Sequence, residues 1–177
     1  MKHHCQSRRA LTLAETVIST LLIGFVIVST LQLVAPLVRS TAIHADRLLA
    51  ANLANELSEE IATKLFIDPA ADSEDAIGFD AGDATFMRMM YDDIDDFDGW
   101  SSSPPKNSYG GAYSTMKEWT RSVKVSHVTL ANPTNESVSN TGLKRVTVIV
   151  SKNGTVLSSV TTLHSQAADT LSFVVGP

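Results

Sequence analysis

The chain has 177 residues and a net charge of −5, from 14 Lys and Arg against 19 Asp and Glu. An acidic surplus of this kind argues against nucleic-acid binding through a broad basic patch, and a single cysteine, Cys5, excludes an intrachain disulfide. The length suits one modest domain carried on a long helix.

The N-terminal residues hold Lys2, Arg8 and Arg9, followed by an unbroken apolar run from Leu11 to Val38, LTLAETVISTLLIGFVIVSTLQLVAPLV. As a helix this run is ~40 Å long at ~1.5 Å per residue, against ~30 Å for the hydrocarbon core of a bilayer. Its only charged residue is Glu15. A carboxylate in such a segment costs up to ~3 kcal/mol at mid-membrane and less near the headgroups. Two readings of Glu15 stand side by side: a first-turn residue favoured by the helix dipole, or a group kept for a partner. The run is too long for the ~7–15-residue apolar region of a secretory signal peptide and for an ordinary core helix. The basic residues ahead of it predict a cytoplasmic N-terminus, with the rest of the chain on the far side of the membrane.

Arg8-Arg9-Ala10 followed by Leu11-Thr12-Leu13-Ala14-Glu15 resembles the N-terminus of type IV pilins and of the pseudopilins of type II secretion. The resemblance covers roughly Arg8 to Pro36. It implies a leader of residues 1–10, cut between Ala10 and Leu11 by a prepilin peptidase that then methylates Leu11. Ala10 and Leu11 stand where Gly and Phe are commonest in that family. The resemblance also gives Glu15 a role, pairing with the N-terminal amine of a subunit during filament assembly. A buried charge is offset only when its partner is present, so a misaligned subunit is penalised. Loss of Lys2, Arg8 and Arg9 with the leader leaves 11 basic residues against 19 acidic ones, a net charge of −8, and removes the only thiol.

The helical pattern continues beyond the apolar run. Ile43, Leu48, Leu49, Leu53, Leu57, Ile61 and Leu65 recur every three to four residues, with polar residues between them. Asp68-Pro69 stops the pattern. The expectation is one helix from about Leu11 to Ile67, kinked at Pro36: residues 11–38 form a transmembrane and assembly half, and 39–68 an amphipathic half. Residues 69–177 form the extracytoplasmic head.

The head opens irregularly, rich in Asp, Gly, Ser and Pro. Asp92, Asp93, Asp95, Asp96 and Asp98 fall within seven positions, which calls for water or a cation between them. An EF-hand register counted back from Gly99 puts Ile94 first and Pro105 twelfth, so that loop is excluded. A solvated acidic loop and a calcium site of another kind both stay open. The run from Asp92 to Trp100 and the Ser-Pro-Pro after it resemble the corresponding segment in minor pilins of the mannose-sensitive haemagglutinin pilus type.

From Trp119 the period becomes two. Trp119, Arg121, Val123, Val125 and His127 alternate with polar residues in a strand that could reach Leu130. Val146, Val148 and Val150 define a second strand, Asn153-Gly154 is a tight-hairpin signal, and Thr155 to Leu163 returns as a third. The fold class is therefore α+β, a long N-terminal helix packed on an antiparallel sheet of at least three strands within 119–163, which is also the arrangement the pilin resemblance implies.

Catalytic signals are missing from the pattern. His44, His127 and His164 share no metal-ligand spacing, and there is no Gly-rich phosphate loop and no nucleophile elbow. The expected function is a non-enzymatic minor pilin-like subunit that needs no cofactor beyond a possible calcium ion. The resemblance supplies its partners: other pilins or pseudopilins, the prepilin peptidase and methyltransferase, and an inner-membrane assembly platform. No nucleic-acid partner is expected. Its place would be the inner membrane, then a pilus or pseudopilus, with adhesion or protein secretion as the setting. The alternatives are a type II secretion pseudopilin and an unprocessed, membrane-anchored periplasmic binding module.

Overall fold

Helix α1 runs from Leu13 to Ala62 in a computed structural model that describes residues 12–68, 77–79 and 87–168. The proposed junction, Ala10 and Leu11, lies outside the described residues. Pro36 sits inside the helix without ending it. The chain divides into two compact units, one ending at Ala45 and one starting at Asp46.

In the second unit, α1 supplies one wall of the core. Ala50, Leu53, Ala54, Leu57 and Ile61 are buried, at the i, i+3, i+4, i+7, i+11 spacing of a single face. One of the leucines expected on this face of the helix is not there. Leu48 is 65% exposed, because the nine residues separating it from Leu57 turn the helix by about two and a half turns. Ala50 and Ala54 take that place, fully buried in the core.

The helix ends at Ala62 rather than near Ile67, before the proline is reached. Thr63 N–H donates to Glu60 O and Lys64 N–H to Ile61 O, a tightening turn. Leu65 then pairs in parallel with Asp93: its N–H donates to Asp92 O, and Ile94 N–H donates to Leu65 O. The backbone groups that a longer helix would use internally are taken by the acidic segment.

The sheet has four antiparallel strands in sequential order: β1 (Ser101–Ser102), β2 (Trp119–His127), β3 (Leu143–Lys152) and β4 (Thr155–Ser165). β2 ends at His127, short of Leu130. Strand β1 lies inside the Ser-Pro-rich stretch expected to be loop, and is held by pairing with Arg121 and Ser122. Asn153 (φ +49°) and Gly154 (φ +76°) form the β3–β4 turn, the two positive φ values that a two-residue hairpin with native twist requires. Val123 and Val125 of β2 and Val146, Val148 and Val150 of β3 face the helix, and Leu157 and Val160 of β4 extend that layer.

Tyr91, Ile94 and Phe97 complete the core from the acidic segment. The Tyr91 and Phe97 rings meet edge to face at 4.9 Å, a preferred aromatic geometry. The segment is therefore a plug and not a solvated loop. Its apolar residues at every third position draw it inward, and the aspartates between them follow.

Candidate functional site

Thr12 precedes the first turn of α1. Its Oγ1 lies 3.4 Å from the Glu15 N–H, and its carbonyl accepts from Glu15 at 3.0 Å. Thr12-x-x-Glu15 thus has the spacing of a capping box, which satisfies amide donors that the helix start leaves free. Glu15 stays exposed, an acid where the helix dipole favours one.

From Leu13 to Gln32 the helix is apolar enough to cross a bilayer, with none of that surface buried. Its 20 residues span ~30 Å, the thickness of a hydrocarbon core. Leu13, Leu21, Phe25 and Leu31 are each at least 65% exposed, and contiguous exposed apolar surface of this kind marks a membrane or protein contact. The hydroxyls in the segment turn back onto the helix. Thr16 donates to Leu13 O, Ser19 to Glu15 O, Thr20 to Val17 O, Ser29 to Phe25 O and Thr30 to Val26 and Ile27 O, at 2.7–3.0 Å. Such internal bonds let polar side chains enter a medium without water. Glu15 is then the one ionisable side chain of the segment.

The five aspartates split by environment. Asp92 is exposed, Asp98 half-buried, and Asp93, Asp95 and Asp96 are buried. Asp93 Oδ1 accepts the N–H of Asp95 (2.6 Å) and of Asp96 (3.1 Å), fixing the short 3-10 turn Asp95–Phe97. Asp96 Oδ2 accepts Asp92 N–H at 3.1 Å, and Asp98 Oδ1 accepts the Val125 N–H of β2 at 2.8 Å. Asp95 Oδ2 receives the buried Lys144 ammonium at 2.6 Å. Lys144 also donates to Phe66 O and lies over the Phe66 ring. Burial raises the Asp93 pKa to about 6, against the bonds from Asp96 and Asp95 that lower it. Burial likewise lifts Asp95 above the carboxylate range although Lys144 opposes it. Four of the five carboxylates take separate partners, and among the described residues no group of three or more His, Cys, Asp or Glu is placed to hold a metal.

Two arginines, neither of them singled out by the sequence pattern as a site, are buried beside Trp100. Arg88 forms a double hydrogen bond with Glu60 of α1, Nε to Oε1 at 3.1 Å and Nη2 to Oε2 at 3.0 Å, and gives Nη1 to Lys106 O. Its guanidinium stands 4.4 Å from the Trp100 ring centroid. Arg121 of β2 donates to Leu53 O at 3.1 Å and to Lys106 O, with Glu56 3.8 Å away. Burial lowers its pKa from the guanidinium value, and Arg88 adds to that effect. One signal for these cations was present in the alternation itself. Arg121 and His127 share parity with Trp119, Val123 and Val125, and Lys144 with the three core valines of β3.

The candidate site residues thus fall in separate places: Glu15 on the exposed helix of the first unit, the aspartates inside the head. No protein-family model matches the chain, and neither a curated protein nor a solved structure is significantly similar to it.

Proposed function

We propose that the chain is a minor pilin-like subunit, cut after Ala10, methylated at Leu11, and drawn from the inner membrane into a type IV pilus-type filament. The observation that carries the reading is the Leu13–Gln32 face: wholly uncovered, internally satisfied in its hydroxyls, and ionisable only at Glu15. In a bundle of such helices this apolar surface is shared among subunits, and Glu15 accepts the new amine of Leu11. Ahead of assembly the same surface rests in lipid, with the N-terminus cytoplasmic and the head periplasmic. The α+β head, with its helix half packed on a four-stranded antiparallel sheet, suits a folded domain displayed on such a stem. The filament could be that of a pilus or of a secretion pseudopilus; the shared chemistry is that of the stem.

The Thr12-x-x-Glu15 geometry favours a second reading, an unprocessed membrane anchor in which the glutamate only starts the helix. Intact mass of the protein isolated from membranes separates them. A chain starting at Leu11 with one added methyl supports the subunit. A chain retaining Met1 or Lys2, in cells that carry the peptidase, refutes it.

A further inference from the structure

Behind β1 the head holds a cavity of about 370 Å³ whose walls include Arg88, Trp100, Ser101, Lys106, Asn107 and Gly110. That volume lies at the small end of the ~300–1,000 Å³ typical of ligand pockets. Its walls are fixed by hydrogen bonds. Arg88 is clamped by Glu60 and by Lys106 O, and Met89 N–H donates to Ser108 O. The Lys106–Ala112 hairpin is closed by Asn107 N–H to Gly111 O at 2.9 Å and by the Lys106–Ala112 bridge. The Asn107 side-chain oxygen accepts the Gly111 N–H at 2.7 Å, which leaves the Asn107 NH₂ as the donor end.

The lining is one-sided in its chemistry. In a chain with five more acidic than basic residues, the described walls contain two cations and no carboxylate. The charge of Arg88 is balanced by Glu60, while Lys106 is exposed and forms no ion pair among the described residues. Asn107 and Ser101 add neutral donors, and the half-buried Trp100 adds an aromatic wall. A wall of donors with one uncompensated cation selects a monoanion rich in acceptors, since charge-assisted bonds to lysine are the strong ones here. An indole beside them favours a ligand with a C–H face.

We propose that this cavity binds a carboxylate-bearing sugar unit, a hexuronate in the simplest case, with its carboxylate on Lys106, its hydroxyls on Asn107 and Ser101, and its ring against Trp100. The site goes beyond the filament reading and does not depend on it. Full-length protein in detergent micelles is titrated with D-glucuronate, D-glucose and benzoate at matched ionic strength, following tryptophan fluorescence. Trp100→Phe assigns the signal, because Trp119 remains. Expected are saturable binding of D-glucuronate in the millimolar range, at least tenfold weaker binding of D-glucose and benzoate, and an equal loss in Lys106→Glu. The exposed Lys106 leaves the melting temperature unchanged on substitution. No saturable response to D-glucuronate up to about 50 mM overturns the site. Equal affinity for benzoate or glucose, or unimpaired binding by Lys106→Glu, overturns the sugar-acid assignment. None of these outcomes touches the N-terminal mass that tests the filament role.

Discussion

Lys144→Met removes the cation that docks the acidic segment onto β3. The ammonium and Asp95 Oδ2 are 2.6 Å apart, with side chains 1% and 8% exposed. Removing one member of such a buried pair leaves the other uncompensated and costs roughly 3–5 kcal/mol, a large part of the ~5–15 kcal/mol that keeps a domain folded. The Phe66 carbonyl loses the Lys144 bond in the same change. Asp95 already titrates above the usual carboxylate range because burial outweighs Lys144, so without the lysine it rises further. The folded variant then holds a proton that the unfolded chain releases, and its deficit should shrink as pH falls below that raised value. Replacing both residues, as Lys144→Met with Asp95→Leu, exchanges the pair for apolar groups and should cost less than either single change. Urea unfolding in micelles, read by near-UV circular dichroism, gives the four free energies of the cycle. A Lys144→Met loss below about 1 kcal/mol, or single losses that simply add in the double variant, would refute a coupled buried pair.

Four further outcomes are expected. The Asp93 pKa of about 6, against 3.8 unperturbed, means that the folded chain holds this proton more tightly than the unfolded chain. Stability should therefore fall as pH rises from about 4 to about 6, by ~3 kcal/mol at most; Asp93→Asn keeps Oδ1 as acceptor, and a pH slope unchanged in that variant would count against the assignment. Leu57→Ala, at a fully buried position on α1, should lower unfolding free energy by roughly 2–5 kcal/mol, whereas Leu48→Ala should change it by less than about 0.5 kcal/mol. Glu15→Gln should insert and be processed normally yet be depleted from sheared filaments, and incorporation at the wild-type level would reduce Glu15 to a helix-start residue. Calcium should shift the melting temperature no more than magnesium at equal ionic strength, because Asp93, Asp95, Asp96 and Asp98 each already give one oxygen to an N–H group or to Lys144; a calcium-selective rise would mean that these bonds yield to a cation.

By itself the sequence determined everything that depends on local chemistry. Apolar length alone marks Leu11–Val38 as long enough to cross a membrane, period two marks β2 and β3, and Asn153-Gly154 marks the hairpin that returns as β4, because backbone sterics admit few solutions for such a pair. Leu53, Leu57 and Ile61 follow the pattern into the core, and only the tertiary structure decided where that face begins. Ala50 and Ala54 carry little signal in a hydrophobic pattern, yet they sit where the helix meets β2 and β3, while Leu48 turns away. It also decided the fate of the aspartates. Charge density between Asp92 and Asp98 reads as repulsion along the chain, but Tyr91, Ile94 and Phe97 gain more from burial than the segment loses by following them. The carboxylates are then tolerated because the backbone and Lys144, 49 residues away in sequence, supply their partners. The helix end followed from the same cause. Leu65 left the helix before Pro69 because the plug offered its backbone another set of hydrogen bonds, and no pattern within residues 61–69 encodes that offer.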